Sequence, residues 1–263
     1  MATAYLDEIM RFHRARAAAD RREWRERIDE VVPCRSRFRA ALRAGDTVGV
    51  IAEIKRRSPS KGWLHRDLDP AALSRAYESG GAAALSVLTD EEHFAGSPGD
   101  LRAAHDACAL PLLRKDFTVC ANDVIDALQF GASAVLLIVA ALDDEECAHL
   151  LDVSARCGLD ALVEVHDLDE ARRALALGAT LVGVNQRDLR TFEVSSERAA
   201  EVVAALPPSV VAVAESGLRD VSDVERAAQY GFDAVLVGES LVRSGDPAAA
   251  VRGLTGVKRR GRD

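Results

Sequence analysis

The stretch Gly80-Gly81-Ala82-Ala83-Ala84-Leu85-Ser86-Val87-Leu88 reads as the end of a helix, a turn at glycine and then a buried strand. The same reading recurs at Gly131-Ala132-Ser133-Ala134-Val135-Leu136-Leu137, Gly178-Ala179-Thr180-Leu181-Val182-Gly183-Val184 and Gly231-Phe232-Asp233-Ala234-Val235-Leu236-Val237. Each glycine suits the left-handed helix C-cap that turns the chain back toward a sheet. The four stretches lie about fifty residues apart, the length of two strand-helix units with short loops. Further apolar runs fall at residues 48–54, 111–114, 161–165 and 210–214, so the pattern predicts eight strands alternating with amphipathic helices. Eight parallel strands form either an open doubly wound sheet or a closed barrel. No G-x-G-x-x-G turn follows the first strand, and the expectation is therefore a (β/α)8 TIM barrel.

Residues 1–45 carry few strand signals and many Ala, Arg and Glu, with Leu6, Ile9, Met10 and His13 at helical spacing. They are expected to form a helical N-terminal extension, followed by the catalytic barrel over 46–255 and a solvated basic tail over 256–263. The net charge of -8 and pI near 5.4 argue against a general nucleic-acid binder, which needs Lys and Arg to neutralise phosphates. No apolar run is long enough to span a membrane, and the N-terminus lacks the apolar segment of a secretory signal. Acidic residues interrupt the Arg-rich opening, so it reads as a folded helix instead of a mitochondrial address. The five cysteines show no C-x-x-C pair and no nearby His at zinc-site spacing, so they read as reduced thiols of a cytoplasmic protein with no metal.

In a (β/α)8 barrel the chemistry sits at the C-terminal strand ends. Here those ends carry Glu53 and Lys55, Lys115, Glu164, Asn185 and Arg187, Glu215 and Ser216, and Gly238. The period of two places Glu53 with Lys55, Leu113 with Lys115, Leu162 with Glu164, and Val213 with Glu215, so each charge rides above an inward apolar layer. Two charges at the end of an apolar strand carry a desolvation cost that needs a reason. Glu53 and Lys55 either pair for structure or meet a charged ligand. His166 shares the Glu164 face but begins a loop, where a capping or solvated histidine is the simpler reading. Glycines after the last two strands, in Glu215-Ser216-Gly217 and Val237-Gly238-Glu239-Ser240, fit a phosphate site built from backbone N–H groups. The segment from Arg56 to Asp69 is long for a strand-helix loop and reads as a lid or binding loop, with Ser58 and Ser60 as donors to an anion and Lys61 as either a ligand contact or a solvated charge.

The block Ile51-Ala52-Glu53-Ile54-Lys55-Arg56-Arg57-Ser58-Pro59-Ser60-Lys61-Gly62 resembles the signature of the indole-3-glycerol-phosphate synthase family. Ser86-Val87-Leu88-Thr89-Asp90-Glu91 leading to Phe94, Leu113-Arg114-Lys115-Asp116-Phe117, Val163-Glu164-Val165-His166, Asn185-Gln186-Arg187-Asp188-Leu189, Ala214-Glu215-Ser216-Gly217 and Val237-Gly238-Glu239 resemble further blocks of that family, in family order. His93 and Gln186 depart from its usual residues. The resemblance implies ring closure of 1-(2-carboxyphenylamino)-1-deoxyribulose 5-phosphate to indole-3-glycerol phosphate, with loss of carbon dioxide and water, in tryptophan biosynthesis. It further implies Lys115 as general acid, Glu164 as base or partner acid, Lys55 on the charged groups of the substrate, and Glu53 and Glu215 holding the lysines. Ser58, Asn185, Arg187 and Ser216 would position the substrate, with Phe94, Phe117 and Leu189 against the anthranilate ring. Gly217, Gly238 and the Glu239 amide would cradle the phosphate. The implied partner is the phosphosugar-anthranilate substrate, with no cofactor, no nucleic acid and no membrane; association with other enzymes of the pathway has no signal in the sequence. The rivals are another phosphosugar barrel, such as an isomerase, and a barrel kept for binding without turnover.

Overall fold

The computed structural model describes residues 2–59, 61–187 and 193–262, with side chains from residue 6 onward. Ser60 and Leu189 lie outside the described residues. Eight strands close a parallel barrel: β1 (Gly49–Ile54), β2 (Ala84–Leu88), β3 (Leu112–Lys115), β4 (Ala134–Ile138), β5 (Asp160–Val165), β6 (Leu181–Asn185), β7 (Val211–Glu215) and β8 (Ala234–Val237). Each strand pairs with the next in sequence, and β1 closes the ring on β8 with Ile51 opposite Leu236. β3 and β7 each run one residue further than the apolar pattern predicts, which makes Lys115 and Glu215 the last residues of their strands.

Strand parity sorts the side chains into two cores. Ile51, Leu113, Leu136, Leu162, Val213 and Leu236 point inward and fill the barrel. Their alternates, among them Val50, Val87, Val135, Val163 and Val235, face the surrounding helices. Helix starts are fixed by side-chain caps: Asp69, Ser97, Asp143, Asp167, Ser195, Asp220 and Asp246 each accept a backbone N–H of the first turn. Of the recurring glycines, Gly131, Gly178 and Gly231 take φ near +90°, as the pattern predicts. In the first repeat the left-handed residue is Gly81, not Gly80. Gly80 is needed for closeness instead, because a Cβ there would lie 2.6 Å from the Ala248 carbonyl oxygen.

The ends of the chain cover the ends of the barrel. The N-terminal helix α1 (Ala2–Ala19) lies over the mouth, where His13 donates to Asp90 at 2.8 Å and Arg16 pairs with Asp123 at 2.7 Å. Two short helices follow, α2 (Trp24–Asp29) and α3 (Phe38–Ala41); Phe38 and Leu42 plug the bottom of the inner core. The basic tail differs from the solvated segment expected of it. Val48 donates to the Val257 carbonyl at 2.8 Å, and Arg43, Arg259 and Arg262 surround the single carboxylate of Asp233. A buried carboxylate at the start of β8 draws these cations in, because leaving it unpaired would cost several kcal/mol, on the order of 3–5.

Candidate active site

The C-terminal strand ends open into a cavity of about 650 Å³, within the range of small-molecule sites. Its walls include Glu53, Lys55, Lys115, Glu164 and Glu215, with Ser58, Phe94, Phe117, Asn185, Arg187, Ser216, Gly217, Gly238 and Glu239. Strand ends as far apart in sequence as Glu53 and Gly238 thus deliver one set of groups to one mouth.

Three carboxylates and two ammonium groups form its floor. Lys55 pairs with Glu53, whose other oxygen accepts from the Ser86 hydroxyl at 3.4 Å. Lys115 Nζ lies 3.3 Å from Glu164 and 3.7 Å from Glu215. Asn185 donates to the second Glu164 oxygen at 3.1 Å. Two inward positions carry no side chain, and that makes room for the carboxylates: a Cβ on Gly183 would fall 1.9 Å from Glu215 Oε1, and one on Gly238 would fall 2.6 Å from Glu53 Oε1.

Burial and mutual charge set different protonation for the two carboxyls beside Lys115. Glu215 is raised to about 8 by burial and then by the Glu164 charge, against the pull of Lys115. Burial acts in the same direction on Glu164, but Lys115, His166 and the Asn185 hydrogen bond outweigh it and hold its pKa below the usual carboxylate value. Burial opposes the Lys115 ammonium, yet Glu164, Glu215 and Glu53 together keep its pKa above that of an ordinary lysine. The resting site therefore pairs an ionised Glu164 with a cationic Lys115 and a Glu215 that holds its proton near neutrality.

The aromatic wall is built partly by α1. Phe94 and Phe117 lie 6.3 Å apart, and the His13 ring packs on Phe117 at 5.2 Å. Asp90 receives both His13 and His93, at 2.8 and 2.9 Å. Burial works against its charge, but these hydrogen bonds hold its pKa down to about 2. Leu6 and Ile9 of α1 also line the cavity. In the long loop, Arg56 binds Asp100 and the Leu68 carbonyl, and Arg57 binds the Glu92 and His93 carbonyls, so both are structural clamps that hold Ser58 at the rim.

Opposite the aromatic wall, Ser216 and Gly217 both take left-handed backbone, with φ of 67° and 77°. For serine this conformation carries a cost of about 1–3 kcal/mol and marks a site where backbone direction matters. Gln186, a departure from the family pattern, has a role here, since its amide donates to the Ser216 carbonyl at 3.0 Å and holds the turn. Arg219 and Arg243 line the same cavity and were not singled out by the sequence pattern; Arg219 lies in the loop after β7 and Arg243 ends the short helix after β8, both beyond the strand ends.

Residues 6–254 match the protein family described as indole-3-glycerol phosphate synthase. An indole-3-glycerol phosphate synthase of Koribacter versatilis is 45% identical over 256 residues, covering 96% of this chain and 98% of that one. One from a Nocardioides species is 53% identical over 209 residues, 80% of each chain. Among solved structures, a thiamine phosphate pyrophosphorylase from Pyrococcus furiosus superposes with a TM-score of 0.62 at 16% identity, covering 82% of this chain and 95% of that one, a likeness of fold alone.

Proposed function

Because the chain belongs to the indole-3-glycerol phosphate synthase family, we propose that the charged floor of its barrel mouth carries out that family's ring closure, with Lys115 as the general acid and Glu164 as the base. The activity is that of a carboxy-lyase of tryptophan biosynthesis acting on a small phosphosugar. The substrate is 1-(2-carboxyphenylamino)-1-deoxyribulose 5-phosphate. Its ring carbon attacks the ketone while the Lys115 ammonium protonates the ketone oxygen; carbon dioxide leaves, and loss of the hydroxyl as water with a proton taken from the ring system gives indole-3-glycerol phosphate. One proton is taken up overall, because a carboxylate departs as neutral carbon dioxide.

The observation that carries this reading is the Lys115 ammonium held between Glu164 and Glu215 in a cavity walled by Phe94 and Phe117. Environments that push two carboxyls apart are how acid and base roles are divided at one pH. Glu164, kept ionised, takes protons; Glu215, protonated near neutrality, leaves the Lys115 charge free to act on the ketone. Lys55, oriented by Glu53, meets the substrate's anionic groups, and the nearby carboxylates offset positive charge that develops on the ring. Asn185, Arg187, Ser58 and Ser216 place the substrate carboxylate and hydroxyls. The Gly217, Gly238 and Glu239 backbone receives the phosphate, with Arg219 and Arg243 supplying charge. An isomerase acting on a ribulose-type phosphate by proton transfer would not need Lys55, Lys115 and Glu164 together with this aromatic wall. We place the protein in the cytoplasm, a reading supported by five free thiols and by the lack, among the described residues, of any helix long and apolar enough to cross a membrane.

The test is turnover of the carboxyphenylamino-deoxyribulose phosphate by the purified chain, read by appearance of the indole chromophore. Lys115→Ala should lower kcat by about 10²–10⁴-fold with little change in KM. Unchanged kcat in the variant would remove Lys115 from its role, and no turnover by the folded parent would overturn the whole reading.

A further inference from the structure

Glu164 is held from a side that the roles above do not use. His166 follows the last residue of β5, and both its backbone N–H and its Nδ1 donate to Glu170 Oε2, at 2.8 and 3.0 Å. That carboxylate fixes the ring, much as an acid orients the imidazole of a catalytic triad. The remaining nitrogen, Nε2, is buried without a hydrogen-bond partner and lies 3.5 Å from Glu164 Oε1, the same oxygen that accepts from Asn185. A buried, unpartnered ring nitrogen aimed at a buried carboxylate is costly unless charge or function compensates for it.

We propose that His166 is a positioning residue for Glu164: oriented by Glu170, its imidazolium stands beside the Glu164 carboxylate and keeps that group ionised and aimed into the cavity. The inference rests on Glu164 being the base. The charged groups facing the ring are Glu164 on its own strand, Asp167 at the next helix cap and Glu170 one turn on. Those facing Glu164 are His166, Lys115 from β3 and Glu215 from β7. Burial works against the charged imidazole, but Glu170 and Glu164 outweigh it and raise its pKa. Each member therefore favours the charged form of its neighbour. The sign follows: without His166 the Glu164 pKa rises, and the acid limb of the rate profile moves to higher pH.

His166→Asn retains an amide near Glu170 but removes Nε2. It should lower kcat about tenfold on the acid limb while leaving the plateau near neutral pH almost unchanged, keep KM within about twofold, and move that limb upward by about one pH unit. Glu170→Gln should move that limb in the same direction by less. A kcat profile of His166→Asn that superimposes on the parent would overturn the inference, as would an effect confined to KM. Glu164→Gln separates the two readings. If it is inactive while the His166→Asn profile is unshifted, the inference alone falls; if it still turns over, the assignment of Glu164 as base falls and takes the inference with it. Should His166→Asn fail to fold, NMR titration of His166 in the intact parent and in Glu164→Gln decides the matter: the midpoint should drop on removing the Glu164 charge, and an unchanged midpoint would overturn the inference.

Discussion

Gly183→Ala adds one methyl group to the barrel interior and should strike the active site rather than the fold. The new Cβ would lie 1.9 Å from Glu215 Oε1 and 3.1 Å from its Cδ, whereas real Cβ contacts do not fall below 3.0 Å, so the carboxyl must retreat by about 1 Å or more. Gly183 has no positive φ, and alanine therefore meets no backbone strain. The other neighbour, Leu162 Cδ1 at 3.3 Å, needs only a small adjustment. Moving a positioned group by 1 Å costs about 100-fold in rate, which is about 2.7 kcal/mol of barrier. Overpacking itself costs about 1–3 kcal/mol of stability, a fall in Tm of about 2–4 °C for each kcal/mol in a chain of this size. The assay is steady-state indole formation well below the melting point, beside a thermal melt of the same sample. Turnover within about threefold of the parent, in protein whose melt shows the overpacking, would refute the argument that the place of Glu215 matters.

The remaining predictions concern charge. Glu215 has a folded pKa of about 8 against an ordinary value of 4.5, so it opposes folding increasingly as pH rises from the lower value to the upper one. Glu215→Gln should therefore raise Tm relative to the parent at pH 9, with the gain shrinking toward pH 5; a pH-independent difference would contradict the raised pKa. Asp233→Ala strands Arg43, Arg259 and Arg262 at the barrel bottom and removes the acceptor of the Ala212 N–H. It should cost about 3–5 kcal/mol in denaturant unfolding while leaving kcat at 25 °C unchanged, since the site lies at the opposite end. A kcat loss without a stability loss would be the opposite of what the geometry requires.

The fold was legible because its signals are local. The glycine turns, the alternation of strand and helix, and the parity that puts Lys115 above Leu113 and Glu164 above Leu162 can be read within a few residues. The strand-end groups followed from the same parity. What stayed hidden depends on contacts between distant segments: His13 on Asp90 is a pair 77 residues apart, and Arg43 on Asp233 a pair 190 apart. Gly183 read as part of an apolar strand and Gly238 as a phosphate contact; that both make room for carboxylates stayed hidden, because those carboxylates come from neighbouring strands. The tail read as solvated because Arg259 and Arg262 show no periodicity; only the buried acid at the start of β8 explains why they turn inward. His166 read as a loop residue for a similar reason, since its orienting acid lies one turn into the next helix.

The closure of β1 on β8 has a consequence for the chain as it is made. Synthesis runs from the N-terminus, and β1 waits for a partner that emerges almost 200 residues later. Until then β1 and the most recently made strand are both open edges of a hydrophobic sheet, the kind of surface on which other chains can pair. The plug of Phe38 and Leu42 is already made during this period, but Arg259 and Arg262, two of the three arginines that pair with Asp233, follow β8. A nascent chain in which β8 has not yet paired with β1 is thus open to aggregation, an unsealed barrel for the cell's chaperones to shelter or its proteases to remove.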